Sequence, residues 1–172
     1  MAHINIEIKA RTSYLEKIRE TLKRVGADFK GTDHQVDTYF KVNTGRLKLR
    51  EGNIENHLIF YEREDVAGPK KSVVVLHKNI PNSNLKEILT GSLGIVVVVD
   101  KNREIYFIDN VKFHLDAVLG LGSFIEIEAI DLDNVLGEKK LLEQCNYYVA
   151  LFGLTKEDMI TSSYCDLLLA KS

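Results

Sequence analysis

The sequence predicts an α+β fold in which strands curl into a barrel around a charged interior and helices pack against the outside. The first observation is the segment 3–10, HINIEIKA, in which polar and apolar residues alternate without a break. Successive side chains of a strand point to opposite faces, so this segment has one polar and one apolar face. The second observation is that three later segments also place an ionisable row opposite an apolar row. Rows of charge that recur on strand after strand favour a closed sheet over a sandwich edge that faces water.

Length and composition limit the classes of protein to consider. The 172 residues suit one domain, and we expect residues 1–172 to form it. A net charge of −2 predicts no long-range attraction to nucleic acid or to a membrane, so neither is an expected partner. The two cysteines, Cys145 and Cys165, fit no metal-ligand spacing, and the N-terminus has no signal-peptide pattern. These features favour a cytoplasmic location.

The first half of the chain is predicted to contain one helix and several strands. Ser13 and Glu16 have the spacing of a capping box, apolar residues then recur at helical spacing, and Gly26 supplies a stop. The single apolar stripe predicts that this helix packs on the outside of the sheet. The strands predicted after it are residues 27–42, 46–50, 58–64 and 70–77.

In the second half, strands give way to helices. Asn84 and Glu87 predict a short helix that ends at Gly91. A longer helix is predicted from about residue 134 to residue 152, and a last helix from Ser163. The strands between the short and the long helix are residues 95–108, 111–118 and 123–130.

The charged rows of these strands indicate what the barrel interior binds. Unpaired charges are costly to bury, so such an interior needs water, ion pairs or a ligand. Lys and Arg bind phosphate oxygens, and a hard cation such as Mg²⁺ or Mn²⁺ bridges carboxylates to phosphate. The sequence therefore predicts a site for a polyanion with a divalent cation. The cations are Lys9, Arg46, Lys48, Arg50, Arg63, Lys101, Arg103 and Lys112, and the acids are Glu7, Asp116, Glu126 and Glu128.

Parts of this pattern have simpler interpretations. The cations of residues 46–50 are also consistent with a solvated basic face, and Glu126 with Glu128 fits an edge strand protected by charge. The histidines show no metal-like pairing and read as surface or core residues. In two other strands, the alternation of side chains places Glu7 and Asp116 on the same interior face, which favours one shared interior site.

A series of short motifs carries a resemblance to a known family. The motifs are residues 5–9 (NIEIK), 37–40 (DTYF), 45–50 (GRLKLR), 101–106 (KNREIY), 115–116 (LD), 121–128 (LGSFIEIE) and 163–164 (SY). In order and spacing this set resembles the CYTH family, named for class IV adenylyl cyclase and thiamine triphosphatase. The resemblance runs over nearly the whole chain.

The resemblance implies a closed antiparallel β-barrel of about eight strands, called a triphosphate tunnel. It implies that Glu7, Glu126 and Glu128 are catalytic and hold Mg²⁺ or Mn²⁺, with Asp116 close to the metal. It also implies a set of phosphate-binding cations, namely Lys9, Lys48, Arg50, Arg63, Lys101 and Arg103. One position departs from the family, because Asn5 replaces the first Glu of its Glu-x-Glu-x-Lys motif. An amide oxygen still ligates a hard cation but brings no charge.

Three functions are consistent with this resemblance. The first hypothesis is a class IV-type adenylyl cyclase, which converts ATP to cyclic AMP and pyrophosphate. The second is a triphosphatase that hydrolyses tripolyphosphate, thiamine triphosphate or a nucleoside triphosphate. The third is a non-catalytic binder of a polyphosphorylated ligand that has lost turnover through Asn5. The sequence leaves the oligomeric state open, a homodimer included.

Overall fold

Eight strands close into an antiparallel barrel in the computed structural model, which describes residues 2–172. The strands are β1 (His3–Arg11), β2 (Asp28–Phe40), β3 (Arg46–Gly52), β4 (His57–Arg63), β5 (Lys70–Lys78), β6 (Ile95–Ile108), β7 (Val111–Val118) and β8 (Gly122–Asp131). Around the barrel they follow the order β1, β5, β4, β3, β2, β6, β7 and β8, and β8 pairs with β1. The predicted fold class is confirmed, including the eight strands that the family resemblance implied.

Helices cover part of the outer surface of the barrel. They are α1 (Leu15–Arg24), α2 (Leu85–Leu93), α3 (Glu138–Phe152) and α4 (Tyr164–Lys171), with a 3-10 turn at Lys156–Asp158 between the last two. None of the helices within residues 2–172 combines the length and the apolar character needed to cross a membrane.

The alternation in β1 divides the barrel into an apolar outside and a polar inside. Ile6, Ile8 and Ala10 are buried against the outer helices, in a core that α1 enters through Ile18 and Leu22. This core also includes Leu141 and Cys145 of α3. The polar residues of the same strand therefore face the barrel interior, as the period of two predicts.

The start of α1 differs from the sequence prediction. The residue that precedes the helix is Tyr14, and no side chain caps the helix there, so the predicted capping box of Ser13 and Glu16 is wrong. The side chain of Thr12 instead accepts a hydrogen bond from the Tyr14 backbone N–H at 2.9 Å. This contact bends the chain at the exit of β1 before the helix begins.

The boundaries of α2 and α3 also differ from the predicted ones. α2 continues through Gly91 and ends at Leu93, before Gly94, because a helix tolerates one exposed glycine at a modest cost. α3 begins at Glu138 and not near residue 134. The segment before it forms a loop around the Asp131 carboxylate, which accepts hydrogen bonds from three backbone N–H groups of residues 135–137.

The last helix packs into one end of the barrel. Ser163 and Asp166 form the capping box that opens α4, at the predicted position. Tyr164 and Cys165 then contact inward-facing apolar side chains, which are Tyr39, Val99, Val118 and Phe124. Arg46 pairs with Asp166 of this helix at 2.8 Å and is not among the residues that line the cavity.

A candidate triphosphate site inside the barrel

The barrel interior holds a charged cavity that is open to solvent at its mouth. Nine of the ten predicted site residues line it, and the tenth, Asp116, does not. The nine are Glu7, Lys9, Lys48, Arg50, Arg63, Lys101, Arg103, Glu126 and Glu128.

Strand register explains why these residues converge. β1 and β8 place Glu7 opposite Glu128 and Lys9 opposite Glu126. β7 places Lys112 opposite Glu128 on the other side of β8. The register therefore places two like charges, Glu7 and Glu128, side by side, while Lys9 and Lys112 each lie opposite a glutamate of β8.

Asp37 of β2 neutralises a cluster of three cations in the cavity wall. Its carboxylate accepts two hydrogen bonds from Arg50, each of 2.9 Å, and one from Lys101 of 2.7 Å. Lys48 lies 3.1 Å from the same carboxylate. Burial opposes the charge of Asp37, but Arg50 and the two lysines hold the pKa of its carboxyl well below the usual value. Asp37 was not among the predicted site residues, although it lies in the DTYF motif at an inward position of β2.

Asp116 lies behind Arg103 and is closed off from the cavity. Arg103 donates to both of its carboxylate oxygens, at 2.7 and 2.6 Å, and the Tyr164 hydroxyl donates at 2.6 Å. Although burial alone would raise it, the charge and hydrogen bonds of Arg103 bring the pKa of Asp116 down to about 2. In this arrangement Asp116 orients Arg103 and has no oxygen turned to the cavity.

Arg63 keeps unused donors inside the cavity. Its Nη1 donates to Glu7 at 3.0 Å, while Nε and Nη2 are buried with no hydrogen-bond partner among residues 2–172. A buried guanidinium donor without an acceptor is costly, so these two N–H groups are suited to a ligand oxygen. Lys9 lies nearby, with its Nζ 3.7 Å from the centre of the Tyr164 ring.

The three glutamates supply oxygen atoms that fit a hard divalent cation. Burial, together with the charges of Glu126 and Glu7, raises the pKa of Glu128 to about 7 against the opposing charge of Lys112. Beside it, Asn5 donates its amide N–H to Glu128 and leaves its amide oxygen buried without a partner among the described residues. A bound cation would offset the repulsion between these carboxylates and would give the amide oxygen of Asn5 a partner.

The glutamates do not form a complete metal site by themselves. Within residues 2–172, no three His, Cys, Asp or Glu side chains are grouped closely enough to hold a metal ion. Mg²⁺ is commonly held by one or two carboxylates together with substrate phosphates and water. The donors present here therefore fit a cation that arrives with a phosphate ligand.

Two further side chains in the cavity were not expected from the sequence. Glu55, in the loop between β3 and β4, pairs with Arg50 at 3.1 Å and with Lys112 on the far wall. His114 was read as a surface or core histidine, and it is buried in the cavity wall beside Glu126. Burial and the Arg103 charge lower the pKa of His114 to about 3, so its ring is neutral at physiological pH. Glu55 lies in a loop and carries no sequence signal, whereas the alternation along β7 places His114 on the same face as Lys112 and Asp116, which was the available signal.

Comparison with known proteins identifies relatives along almost the whole chain. A sequence model of the CYTH domain matches residues 3–154. A Methanocaldococcus jannaschii protein named "Putative adenylate cyclase" is 25% identical over 173 residues, covering 95% of this chain and 98% of that protein. A solved Pyrococcus horikoshii structure has 26% identity and a TM-score of 0.70, covering 95% and 98% of the two chains. A Vibrio parahaemolyticus structure described as "a putative adenylate cyclase" has a TM-score of 0.72 at 18% identity, covering 98% and 99% of the two chains, and shows the fold alone.

Proposed function

Because this chain belongs to the CYTH domain family, we propose that it is a class IV-type adenylyl cyclase that converts ATP to cyclic AMP and pyrophosphate. Members of the family are adenylyl cyclase-like enzymes or triphosphatases, and they generally depend on a divalent metal ion. The name of the M. jannaschii relative, an adenylate cyclase, favours the cyclase among these. The relative matches this chain over almost its full length, so the comparison concerns the whole barrel.

The observation that carries the proposal is the buried Arg63 guanidinium with two unpartnered N–H donors. It lies in a cavity in which several other cations are held in place by carboxylates behind them, such as Asp37 behind Arg50 and Asp116 behind Arg103. Donors held in this way need little reorganisation when charge develops on a bound phosphate. We propose that Lys9, Lys48, Arg50, Arg63, Lys101 and Arg103 bind the triphosphate.

In the proposed reaction, the ribose 3′-hydroxyl oxygen attacks the α-phosphorus and gives up its proton to a water molecule. The bond from the α-phosphorus to the bridging oxygen breaks, and pyrophosphate leaves with the electron pair. The Arg and Lys side chains neutralise the negative charge that grows on the leaving pyrophosphate. Their fixed positions also hold the α-phosphorus near the ribose, which lowers the entropic cost of ring closure.

We propose that Glu7, Glu126 and Glu128 hold the divalent metal, Mg²⁺ or Mn²⁺, with the amide oxygen of Asn5 as a neutral fourth donor. Such a cation, when bound, supplies Lewis-acid polarisation of the phosphate. The neutral Asn5 lowers the total negative charge around the cation, compared with the Glu at this position in the family motif. The chain therefore binds the cation chiefly together with its triphosphate ligand.

Product analysis with purified protein tests this function. ATP, tripolyphosphate and thiamine triphosphate are offered separately with Mg²⁺ or Mn²⁺, and Glu126→Gln serves as the inactive control. We expect cyclic AMP and pyrophosphate in equal amounts from ATP, and none from the variant. Orthophosphate from any of the three ligands would identify a triphosphatase instead. Binding of all three without a product would identify a non-catalytic binder, and either result overturns the cyclase.

A further inference from the structure

One cation of the cavity lining lies outside the set that we propose to bind the triphosphate. Seven lysines and arginines within residues 2–172 line the cavity, and six of them form that set. The seventh is Lys112, near the start of β7. Its ammonium group pairs with the Glu55 carboxylate, so the positive charge of Lys112 is already compensated inside the protein.

The pair of Glu55 and Lys112 joins opposite walls of the barrel. Glu55 lies in the loop between β3 and β4, and in the barrel order three strands separate β4 from β7 on either side. β7 runs from Lys112 to Val118, which packs against α4 at the other end of the barrel. The pair therefore lies at the end that α4 leaves open.

The protein holds Glu55 in this position through its backbone. The buried Asp33 carboxylate accepts hydrogen bonds of 2.9 Å from the backbone N–H groups of Ile54 and Glu55. The Gln35 side chain donates to Asp33 at 2.8 Å and to Glu55 at 3.2 Å. Burial opposes the charge of Glu55, but the two cations that it contacts hold the pKa of its carboxyl far below the ordinary value. The mouth therefore carries a fixed negative charge.

The proposed phosphate-binding cations lie deeper in the barrel than this negative charge. On β3, Lys48 and Arg50 both line the cavity and are two residues apart, and Arg50 also contacts Glu55 at 3.1 Å. On β6, Lys101 and Arg103 have the same spacing. Two residues span about 7 Å of strand, so these cations cover only a short phosphate chain. Its outer end lies at the level of Glu55.

We propose that Glu55 limits the bound phosphate chain to three units, because its carboxylate repels a further phosphate at the mouth. A neutral group in the same place, such as a nucleoside, carries no charge for Glu55 to repel. This inference rests on the proposed function and adds the residue that sets the chain length. Without such an element, attraction to the cations would favour the more highly charged tetraphosphate.

The experiment compares inorganic tripolyphosphate with inorganic tetrapolyphosphate by calorimetry in the presence of Mg²⁺. The proteins are the unchanged chain, Glu55→Gln and the matched control Glu51→Gln, which removes the same charge from a residue that pairs with Lys86 outside the cavity. Neither ligand has a ribose hydroxyl, so a cyclase leaves both intact. The ratio of the two affinities is compared between proteins, so the different Mg²⁺ binding of the two ligands cancels.

We expect the unchanged protein and Glu51→Gln to bind tripolyphosphate about tenfold more tightly than tetrapolyphosphate. In Glu55→Gln, Arg50 and Lys112 lose their internal anion, so both ligands should bind more tightly and the preference should fall to about twofold or less. Tighter binding of tetrapolyphosphate by the unchanged protein, or the same preference in Glu55→Gln, overturns the inference and leaves the proposed function standing.

Two other results concern the proposed function as well. If neither ligand binds the unchanged protein, the proposed function and the inference are both overturned. If orthophosphate forms during the titration, the cyclase is overturned, and the same titrations in EDTA decide the inference by the same comparison.

Discussion

Asp37 and Arg50 form a buried bidentate ion pair in the cavity wall, with both hydrogen bonds at 2.9 Å. The same carboxylate also accepts from Lys101 at 2.7 Å. One acid thus neutralises several cations that would otherwise repel each other across adjacent strands. The pairing leaves an excess of positive charge facing the cavity, which is the condition for binding an anion there.

Replacing Asp37 by Asn should destabilise the fold. The variant leaves Arg50 and Lys101 buried without their anion, and breaking such a pair costs about 3 to 5 kcal/mol. Urea unfolding of the two proteins measures the loss. Addition of tripolyphosphate should restore more stability to the variant than to the unchanged protein, because the ligand supplies the missing charge.

The control for this experiment is Asp100→Asn. Asp100 pairs with His34 on the outer surface, where both side chains are more than 40% exposed. Exposed pairs contribute little, so we expect a change below about 1 kcal/mol. Equal destabilisation by the two substitutions would contradict the role of Asp37 beneath the cations.

The fold was predictable because its signal is local. A period of two residues assigns every second side chain to the interior, and β1, β7 and β8 show that period around their charged residues. The strand bounds 95–108 and 111–118 agree with the structure for the same reason. Helix starts were less predictable, since they depend on contacts such as those around Asp131, which only the folded chain brings together.

The alternation of side chains along a strand does not predict which partner each residue of the site contacts. The alternation along β7 places Asp116 on the interior face, and only its hydrogen bonds with Arg103 and with Tyr164, 48 residues away, show that these side chains cover it. Glu55 lies in a loop, where no period applies. Asp37 does have an interior phase, but the partners that define its role belong to β3 and β6.

The position of Asp116 predicts that it is not a metal ligand. Asp116→Asn should leave the Mn²⁺ affinity of the free protein within about twofold, whereas Glu126→Gln should weaken it by about tenfold or more. Electron paramagnetic resonance of free Mn²⁺ measures both. Triphosphate affinity should fall in Asp116→Asn, because Arg103 loses the carboxylate that orients it. A loss of Mn²⁺ binding in Asp116→Asn comparable to that in Glu126→Gln would show that Asp116 ligates the metal.

Glu55 should compete with the triphosphate for cations. It pairs with Arg50 and Lys112, and these cations hold the pKa of its carboxyl far below the ordinary value although burial opposes it. Glu55→Gln removes this internal anion, so tripolyphosphate affinity should rise by about fivefold. Glu51→Gln is the matched control, since Glu51 pairs with Lys86 outside the cavity. An unchanged or lower affinity in Glu55→Gln would contradict the competition.

The buried Lys70 should make the free energy of unfolding depend on pH in the alkaline range. It is buried and donates to the Thr161 carbonyl oxygen at 2.9 Å, and burial with the nearby Arg63 charge lowers its pKa to about 8. The unfolded chain keeps the ordinary value of 10.5, so it binds more protons than the folded chain between pH 8 and 10.5. The contribution of Lys70 to the free energy of unfolding therefore increases from pH 8 to pH 10.5.

The size of the Lys70 effect is measurable against Lys70→Gln. A shift of this size corresponds to about 3 kcal/mol, and allowing for solvent screening reduces the expected effect to about 2 kcal/mol. The free energy of unfolding of the unchanged protein, relative to the variant, should increase by that amount from pH 8 to pH 10.5. A difference that stays constant or falls over this range would show that the Lys70 pKa is not lowered.

Asn5→Glu should convert the neutral donor into a fourth carboxylate. Asn5 now donates a hydrogen bond to Glu128, and the substitution replaces that donor with a negative charge beside a carboxyl whose pKa is already about 7. Without metal the variant should be less stable at neutral pH, because like charges are then buried together. With Mn²⁺ it should bind about tenfold more tightly, since ligand charge raises the affinity for a hard cation. Asn102→Glu on the exposed face of β6 adds the same charge away from the cavity and should change neither quantity. An identical Mn²⁺ titration for Asn5→Glu and the unchanged protein would show that Asn5 does not face the metal.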